Sequence, residues 1–349
     1  MKKTTIFFLL IFLSQNIYSQ IVNLRTIKTE TEYFPKLVSA IQIYDNSDEP
    51  IIGLKSENFI VTIDGKKCDS LNAITYKESG LGFNIMLCLD ISGTMKGYPL
   101  DTVKKAVNKF IDEMRAVDKL AILGFADEPE LISDFSNDKE YLRKKVNEIS
   151  AKGSQTALYY SGYKGLKKLA EIKEKTAKIL IIMGDGKNES KSSSYTEDDI
   201  INLALKEGIP AFNIGYTKID KAYLQSLERI SDKTNGKFYE SPNDEELDKQ
   251  YERLYRQLLN IYILSYQICG MSGDGNEHLN SISVFINKVL QKNSTNKFIS
   301  PAGAPAINCG SSIIIKEKEA SVWFYIIPSV LLLFLILAYL YWKRRKRQK

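Results

Sequence analysis

LCLDISGTMKGYPL, Leu87–Leu100, decides how the rest of this chain is read. An apolar run stops at Asp90, Ser92, Gly93 and Thr94 follow, and Leu100, Val103, Val107, Phe110, Ile111 and Met114 then recur at helical spacing. The full run, FNIMLCLD, is continuous in apolar residues, the pattern of a strand buried on both faces of a parallel sheet. Asp90-x-Ser92-x-Thr94 then has two readings. Asp, Ser and Thr are ordinary helix N-caps, and they are also three oxygen ligands for a metal. The stretch alone leaves both open, so the answer depends on what other loops bring to it.

The same alternation continues from Gly82 to about Leu258. LAILGFA reads as a strand in a hairpin with ELISDF; Leu142, Val146 and Ile149 mark a helix, and Tyr159 to Leu169 another. KILIIMGDG repeats the first strand, an apolar run leading into Asp185. A helix around Asp198 to Lys206, the strand IPAFNIGY, a helix near Tyr223 to Ile230, the strand GKFYE and a charged helix from Asp244 to about Leu259 follow. Strands alternating with helices imply an open α/β sheet.

In such sheets ligands bind beyond the carboxyl ends of the strands. Asp90 and Asp185 end two apolar runs and should reach the same edge. GSQTALYYSGYKGL places Thr156 in a loop before a helix, where loops collect at that edge too. Asp90, Ser92, Thr94, Thr156 and Asp185 are then candidate metal ligands, two anionic and three hydroxyl. Hard oxygens without thiolate or imidazole suit Mg²⁺, Ca²⁺ or Mn²⁺ rather than zinc. Two carboxylates only neutralise a divalent cation, so a vacant position would still attract a carboxylate from a partner.

At these residues the chain resembles the von Willebrand factor type A (vWA) family with its metal-ion-dependent adhesion site (MIDAS). The family's Asp-x-Ser-x-Ser stands here as Asp90-Ile91-Ser92-Gly93-Thr94, with Thr for the last Ser. Its second-loop Thr matches Thr156, in a stretch similar to Gly-Thr-Ala-Leu. Its third-loop Asp matches Asp185 in Gly184-Asp185-Gly186, where Thr commonly precedes the Asp. NGKFYESPNDEELDKQYERL resembles the family's closing strand and helix. The resemblance implies a Rossmann-like, mostly parallel sheet flanked by helices over residues 82–258. It also implies direct metal contacts from Ser92, Thr94 and Thr156, Asp90 acting through water, and Asp185 binding directly or through water. Metal-mediated capture of a protein partner is the implied activity.

Outside this unit the character changes. Leu37 to Ile43 and Phe59 to Ile63 read as strands, and Asp64-Gly65 is a hairpin signal. After Leu258, IYILSYQI and SISVFINKVL return to β character. The segments 20–81 and 259–318 are therefore expected to pair as one smaller, discontinuous β-sandwich. Residues 1–19, with Lys2, Lys3 and the apolar run Ile6 to Leu13, read as a signal peptide. After a stalk, 319–321, the 21 residues from Val322 to Trp342 carry no charge. They cover roughly 30 Å as a helix, the thickness of a bilayer core. Trp323, Tyr325, Tyr339, Tyr341 and Trp342 sit at its ends as interface aromatics, and KRRKRQK, 343–349, orients the tail to the cytoplasm. The expected topology is a single-pass membrane protein with its bulk exported, periplasmic or extracellular.

The formal charge of +6 changes meaning with that topology. Setting aside Lys2, Lys3 and the six basic tail residues leaves 40 basic against 42 acidic residues, so nothing suggests nucleic acid. Of four cysteines, Cys88 lies in the first apolar run, Cys269 and Cys309 are a candidate disulfide pair, and Cys68 has no evident partner. Asp127, Glu128 and Glu130 read first as a solvated hairpin tip and only second as another cation site. Thr196 reads as a cap over Asp198 and Asp199, and Tyr159 and Tyr160 as either helix packing or a partner-facing surface. The one histidine, His278, is placed in a loop, so no Ser/His/Asp or Cys/His set forms at the strand ends. The resulting expectation is a membrane-anchored binding or adhesion module, not an enzyme. A structural subunit of a membrane complex is the alternative, and a metal-dependent hydrolase the weakest reading.

Overall fold

The computed structural model describes residues 22–307, apart from residues 175, 191–193 and 217–220 and the side chains of Asp244 and Glu245. The N-terminal flank forms β1 (Val22–Glu30), β2 (Lys36–Asp45), β3 (Phe59–Ile63), β4 (Lys66–Lys67), β5 (Ser70–Thr75) and a one-turn helix, α1 (Tyr76–Ser79). The central unit runs β6 (Phe83–Asp90), α2 (Tyr98–Glu113), β7 (Lys119–Phe125), β8 (Pro129–Ser136), α3 (Lys139–Asn147), α4 (Leu158–Ala170) and β9 (Ala177–Gly184). It closes with α5 (Glu197–Glu207), β10 (Phe212–Tyr216), α6 (Leu224–Lys233), β11 (Lys237–Ser241) and α7 (Asp244–Leu259). The last strands are β12 (Tyr262–Gln267), β13 (Glu277–Ile286) and β14 (Val289–Ile299).

The central sheet has the order β11-β10-β9-β6-β7-β8, parallel except for the antiparallel edge strand β8. Every residue of β6 is buried, as its unbroken apolar run requires. Alternation along the strand divides it between two helical layers. Ile85, Leu87 and Leu89 join α2, α3 and α7 on one face, while Met86 and Cys88 join α4, α5 and α6 on the other. On the first face Phe110 of α2 meets Tyr251 and Tyr255 of α7 with ring centroids 5.9 and 5.3 Å apart. On the second, Gly165 lets α4 approach the sheet: a Cβ there would lie 2.8 Å from Cys88 Sγ. Burial pushes that thiol's pKa far up, so Cys88 serves as an apolar filler.

The flanks build two four-stranded sheets, β1-β2-β12-β5 and β14-β13-β3-β4, each mixing strands from both ends of the chain. Leu37, Ile41, Val61, Tyr262, Leu264 and Ile282 fill the space between them. Strands β1 and β5, not distinguished in the sequence, pair with β2 and β12. The hairpin at Asp64-Gly65 has positive φ at both residues (49° and 80°), the requirement of a tight primed turn. His278 lies in β13, not in a loop, because the strand begins at Glu277. Cys269 is disulfide-bonded, and Cys68 and Cys88 are free; Cys309 lies outside the described residues.

The crossing into the central unit is pinned at the start of β6. Asp118, fully buried, accepts from Phe83 N (3.0 Å), Arg115 (2.7 Å) and the Tyr255 hydroxyl (2.6 Å), and Arg115 donates onward to Leu81 O (2.7 Å). Beside α7, Arg256 pairs with Glu49 at 2.9 Å, and Tyr239 OH donates to Gln257 Oε1 at 2.7 Å. The expected signal peptide, transmembrane helix and basic tail lie outside the described residues. Among the described residues no helix is long and apolar enough to cross a membrane.

Candidate metal centre

Asp90 is the last residue of β6, and backbone bonds fix the chain just beyond it: Ile91 N donates to Phe125 O, and Lys152 N to Ile91 O, both at 2.9 Å. Ser92 is extended, and Gly93–Met95 make one tight turn before α2. The N-cap of α2 is Gly97, so none of Asp90, Ser92 and Thr94 caps that helix. Ser92 precedes the tight turn, yet its hydroxyl makes no capping bond there and lies 3.0 Å from Thr94 Oγ1. Thr156 does not cap α4 either; the N-cap is Ala157, with no side-chain bond. The capping explanation of the Asp-x-Ser-x-Thr stretch therefore fails, and its oxygens are left for other work.

Three loops meet here. A Cβ on Gly93 would sit 2.8 Å from Gly153 O, which puts the loop after β6 against the loop before α4. Glu189 N donates to Thr156 O at 2.9 Å, joining that second loop to the one after β9. A Cβ on Gly184 would lie 3.0 Å from Asp90 Cβ and 3.1 Å from Asp90 Oδ2, which closes the triangle. Asp90, Ser92 and Thr156 are buried, Thr94 is exposed, and Asp185 is half-buried with its Oδ1 accepting Lys187 N at 3.0 Å.

The electrostatics centre on Asp90, only 1% exposed. Its Oδ1 accepts Ser92 N at 2.8 Å, whereas its Oδ2 is buried without any hydrogen-bond partner. Burial pushes its pKa up to about 7; the bonds from Ser92 and from the Asp185 backbone oppose this, and the nearby Asp185 charge adds to it. A buried carboxylate oxygen without a donor is costly, and a bound cation is the group that would relieve it. The donor set fits such an ion, being oxygen throughout. Among the described residues no three His, Cys, Asp or Glu side chains form a metal-ligating group.

Asp127 plays a part its sequence neighbourhood did not reveal. Its Oδ1 accepts from Ser154 N (2.9 Å) and Gln155 N (2.7 Å), bracing the loop that carries Thr156. Glu130 pairs with Lys152. The hairpin tip thus acts as a buttress, and the signal for it was the Gly-Ser-Gln run whose free N–H groups need an acceptor. Asn188 does similar work by accepting Tyr159 N at 3.2 Å. Thr196 caps α5 over Asp199 (3.3 Å). Tyr160 stacks on Tyr195 with centroids 5.0 Å apart, so that side chain packs against the loop before α5.

The model of the von Willebrand factor type A domain family matches residues 84–253. This segment is a vWA domain. An uncharacterized protein of Synechocystis is 25% identical over 183 residues, 52% of this chain and 43% of its own length. Inter-alpha-trypsin inhibitor heavy chain H3 of Mesocricetus auratus is 22% identical over 198 residues, 53% of this chain and 22% of its own. The chain thus spans less than half of either relative. Among solved structures, a von Willebrand factor type A protein from Catenulispora acidiphila superposes with a TM-score of 0.44 at 11% identity, covering 82% of this chain and 76% of that one. The vWA match falls on the six-stranded unit and includes all five candidate ligands.

Proposed function

We propose that the vWA domain is a protein-interaction module that captures an acidic side chain of its partner through a divalent cation, Mg²⁺ or else Ca²⁺ or Mn²⁺. Ser92, Thr94 and Thr156 would hold the ion directly, Asp90 through water, and Asp185 directly or through water. When bound, the ion supplies a positive centre with a position left for a carboxylate from outside. The chain's own contribution is positioning. The loop contacts hold the hydroxyls together, Asp90 supplies buried negative charge, and the exposed Thr94 marks the side from which a partner arrives.

The observation that carries this reading is the unpartnered, buried Asp90 Oδ2 at the meeting point of the three loops. The wider reading has the bulk of the protein exported and anchored by residues 322–342, with the domain presented to partners outside. Its support is the uncharged 21-residue stretch and the basic run after it.

Titration calorimetry of the full-length protein with Mg²⁺, beside Asp185→Ala, tests the metal. Capture of partner protein with and without chelator tests its use. Binding heat that Asp185→Ala leaves unchanged, or capture indifferent to chelator, would overturn the proposal.

A further inference from the structure

The chain's one histidine sits far from the vWA centre, in a constellation that sequence spacing hides. His278 Nδ1 lies 2.8 Å from Asp64 Oδ2, and Nε2 lies 3.0 Å from Asp274 Oδ1 and 3.2 Å from Ser300 Oγ. Asp64, His278 and Ser300 are connected as in a nucleophilic triad, but Ser300 cannot act as one. Its hydroxyl donates to Asp274 Oδ1 (2.8 Å), accepts Asp274 N (3.0 Å) and Gly275 N (3.2 Å), and is 1% exposed. With donor and acceptor capacity spent, it is a structural pin.

The two carboxylates decide what the imidazole does. Both ring nitrogens face oxygens that only accept while ionised. A neutral imidazole has one N–H and would turn a lone pair toward the second carboxylate; the imidazolium satisfies both. The tie joins three segments: the β3–β4 turn at Asp64, the loop at Asp274–Asn276, and Ser300 after β14. Asp64 Oδ1 also accepts Leu279 N at 2.8 Å, and Asp274 accepts Asn276 N and Nδ2, each at 2.9 Å. Phe298 covers the ring at 5.5 Å. Charged groups on the same strands and turn are Lys297 and Glu277, paired with each other at 2.7 Å, and Lys66, which donates to Cys269 O at 3.1 Å.

We propose that His278 is a proton-operated latch that closes this end of the β-sandwich when charged and loosens it when neutral. The surroundings agree in sign. Burial lowers the pKa of His278, but the bonds and charges of Asp64 and Asp274 outweigh it and raise the pKa above 6.5. Bonds from Leu279 N and His278 lower that of Asp64, and bonds from Asn276, Ser300 and His278 lower that of Asp274. The raised histidine contributes its full stability below pH 6.5 and loses it as pH rises through the folded value. The lowered carboxylates hold above their ordinary value and let go in acid. The latch is therefore closed from the carboxylates' ordinary range up to the folded value of the histidine, which lies above 6.5, and open beyond it.

Because the chain has one histidine, ¹³Cε1-histidine labelling of the full-length protein gives a single NMR signal to titrate. A midpoint above 6.5 is expected, with Asp64→Asn and Asp274→Asn each moving it down. Hydrogen exchange at Leu279 N and Gly275 N, corrected for the intrinsic pH dependence, should show opening increase through the same midpoint. The increase is about tenfold for each unit by which the midpoint exceeds 6.5, and it should be absent in His278→Gln. A wild-type midpoint at or below 6.5, or protection that does not change across the titration, would overturn the proposal, and neither result needs a variant to fold.

Discussion

Asp90→Asn should make the metal-free protein more stable at pH 8, the opposite of what removing a buried hydrogen-bonded residue normally does. Asp90 Oδ1 is satisfied by Ser92 N, whereas Oδ2 has no partner at 1% exposure, so the ionised carboxylate is an under-compensated charge. The rise of its pKa from 3.8 to about 7 corresponds to roughly 4 kcal/mol. The sign follows from linkage. A folded pKa raised above the unfolded one contributes stability that is complete below pH 3.8 and lost as pH rises through about 7. Asparagine can keep the Oδ1 bond but puts an unpaired N–H₂ where Oδ2 was, which costs about 1–3 kcal/mol. Without metal at pH 8 the variant should therefore exceed the wild type by roughly 1–3 kcal/mol; at pH 4, where wild-type Asp90 is protonated, that advantage should be lost.

Mg²⁺ should then invert the comparison. At about a hundred times its dissociation constant a ligand adds about 2.7 kcal/mol to a protein that binds it, and the variant should gain much less. Hydrogen exchange read by mass spectrometry on peptides covering β6 reports this locally, with chelator and with Mg²⁺, at pH 4 and pH 8. If wild type in chelator is as protected as the variant at pH 8, Asp90 is not an under-compensated charge. If both gain equally from Mg²⁺, Asp90 has no part in holding the ion.

Thr94→Ser keeps the hydroxyl and should leave Mg²⁺ affinity within a few-fold, while Thr94→Ala should weaken it strongly; calorimetry separates the two. Asp127→Ala removes the acceptor for Ser154 N and Gln155 N and should weaken metal binding about 10- to 100-fold without removing a ligand, with faster exchange in the 153–156 loop as the accompanying sign. Asp118→Ala strips partners from Phe83 N, Arg115 and Tyr255 and should destabilise the fold by about 3–5 kcal/mol in denaturant titrations while leaving the metal loops' chemistry intact. Asp185→Ala and His278→Gln, which share no hydrogen-bond partner, should add in stability to within about 0.5 kcal/mol; a larger coupling would show that the latch and the loops around Asp90 communicate.

The central sheet was legible because its strands are buried on both faces, and continuous apolar runs such as FNIMLCLD and KILIIMG have few other readings. The helices α2 and α3 followed from residues such as Val107, Phe110, Leu142 and Val146 recurring at helical spacing. Strand β1, VNLRTIKTE, was obscured because Val22 and Leu24 are its only apolar inward residues before Thr26 takes the same face. Which flank strand pairs with which could not be read, since pairs such as Ile41 with Tyr262 join positions far apart in sequence. At the three loops that meet beside Asp90 the candidate ligands could be named from the sequence, and their supports could not. Asp127 acts on backbone 27 and 28 residues away, and His278 finds Asp64 across 214. Motifs record what touches a ligand, whereas buttresses depend on where a loop happens to pass.

The direction of β6 links these observations. Its first residue, Phe83, is tied to Asp118 beside the passage into the sandwich, and α7 returns to the same region at Leu259 to feed β12. Asp90 stands at the other end of the strand, roughly 25 Å away for eight residues. A partner engaging the loops at Asp90, Thr156 and Asp185 therefore approaches the end of the sheet away from the covalent connections to the sandwich. The cost of burying an unpaired carboxylate is borne in the middle of the sheet, between β7 and β9, where the side chain is buried. A mobile loop could hold the same five oxygens, but it would let Asp90 find water and lose the attraction for a cation. Burial at the end of β6 makes DISGT more than a turn: it leaves a carboxylate oxygen without a donor, which the proposed cation would relieve.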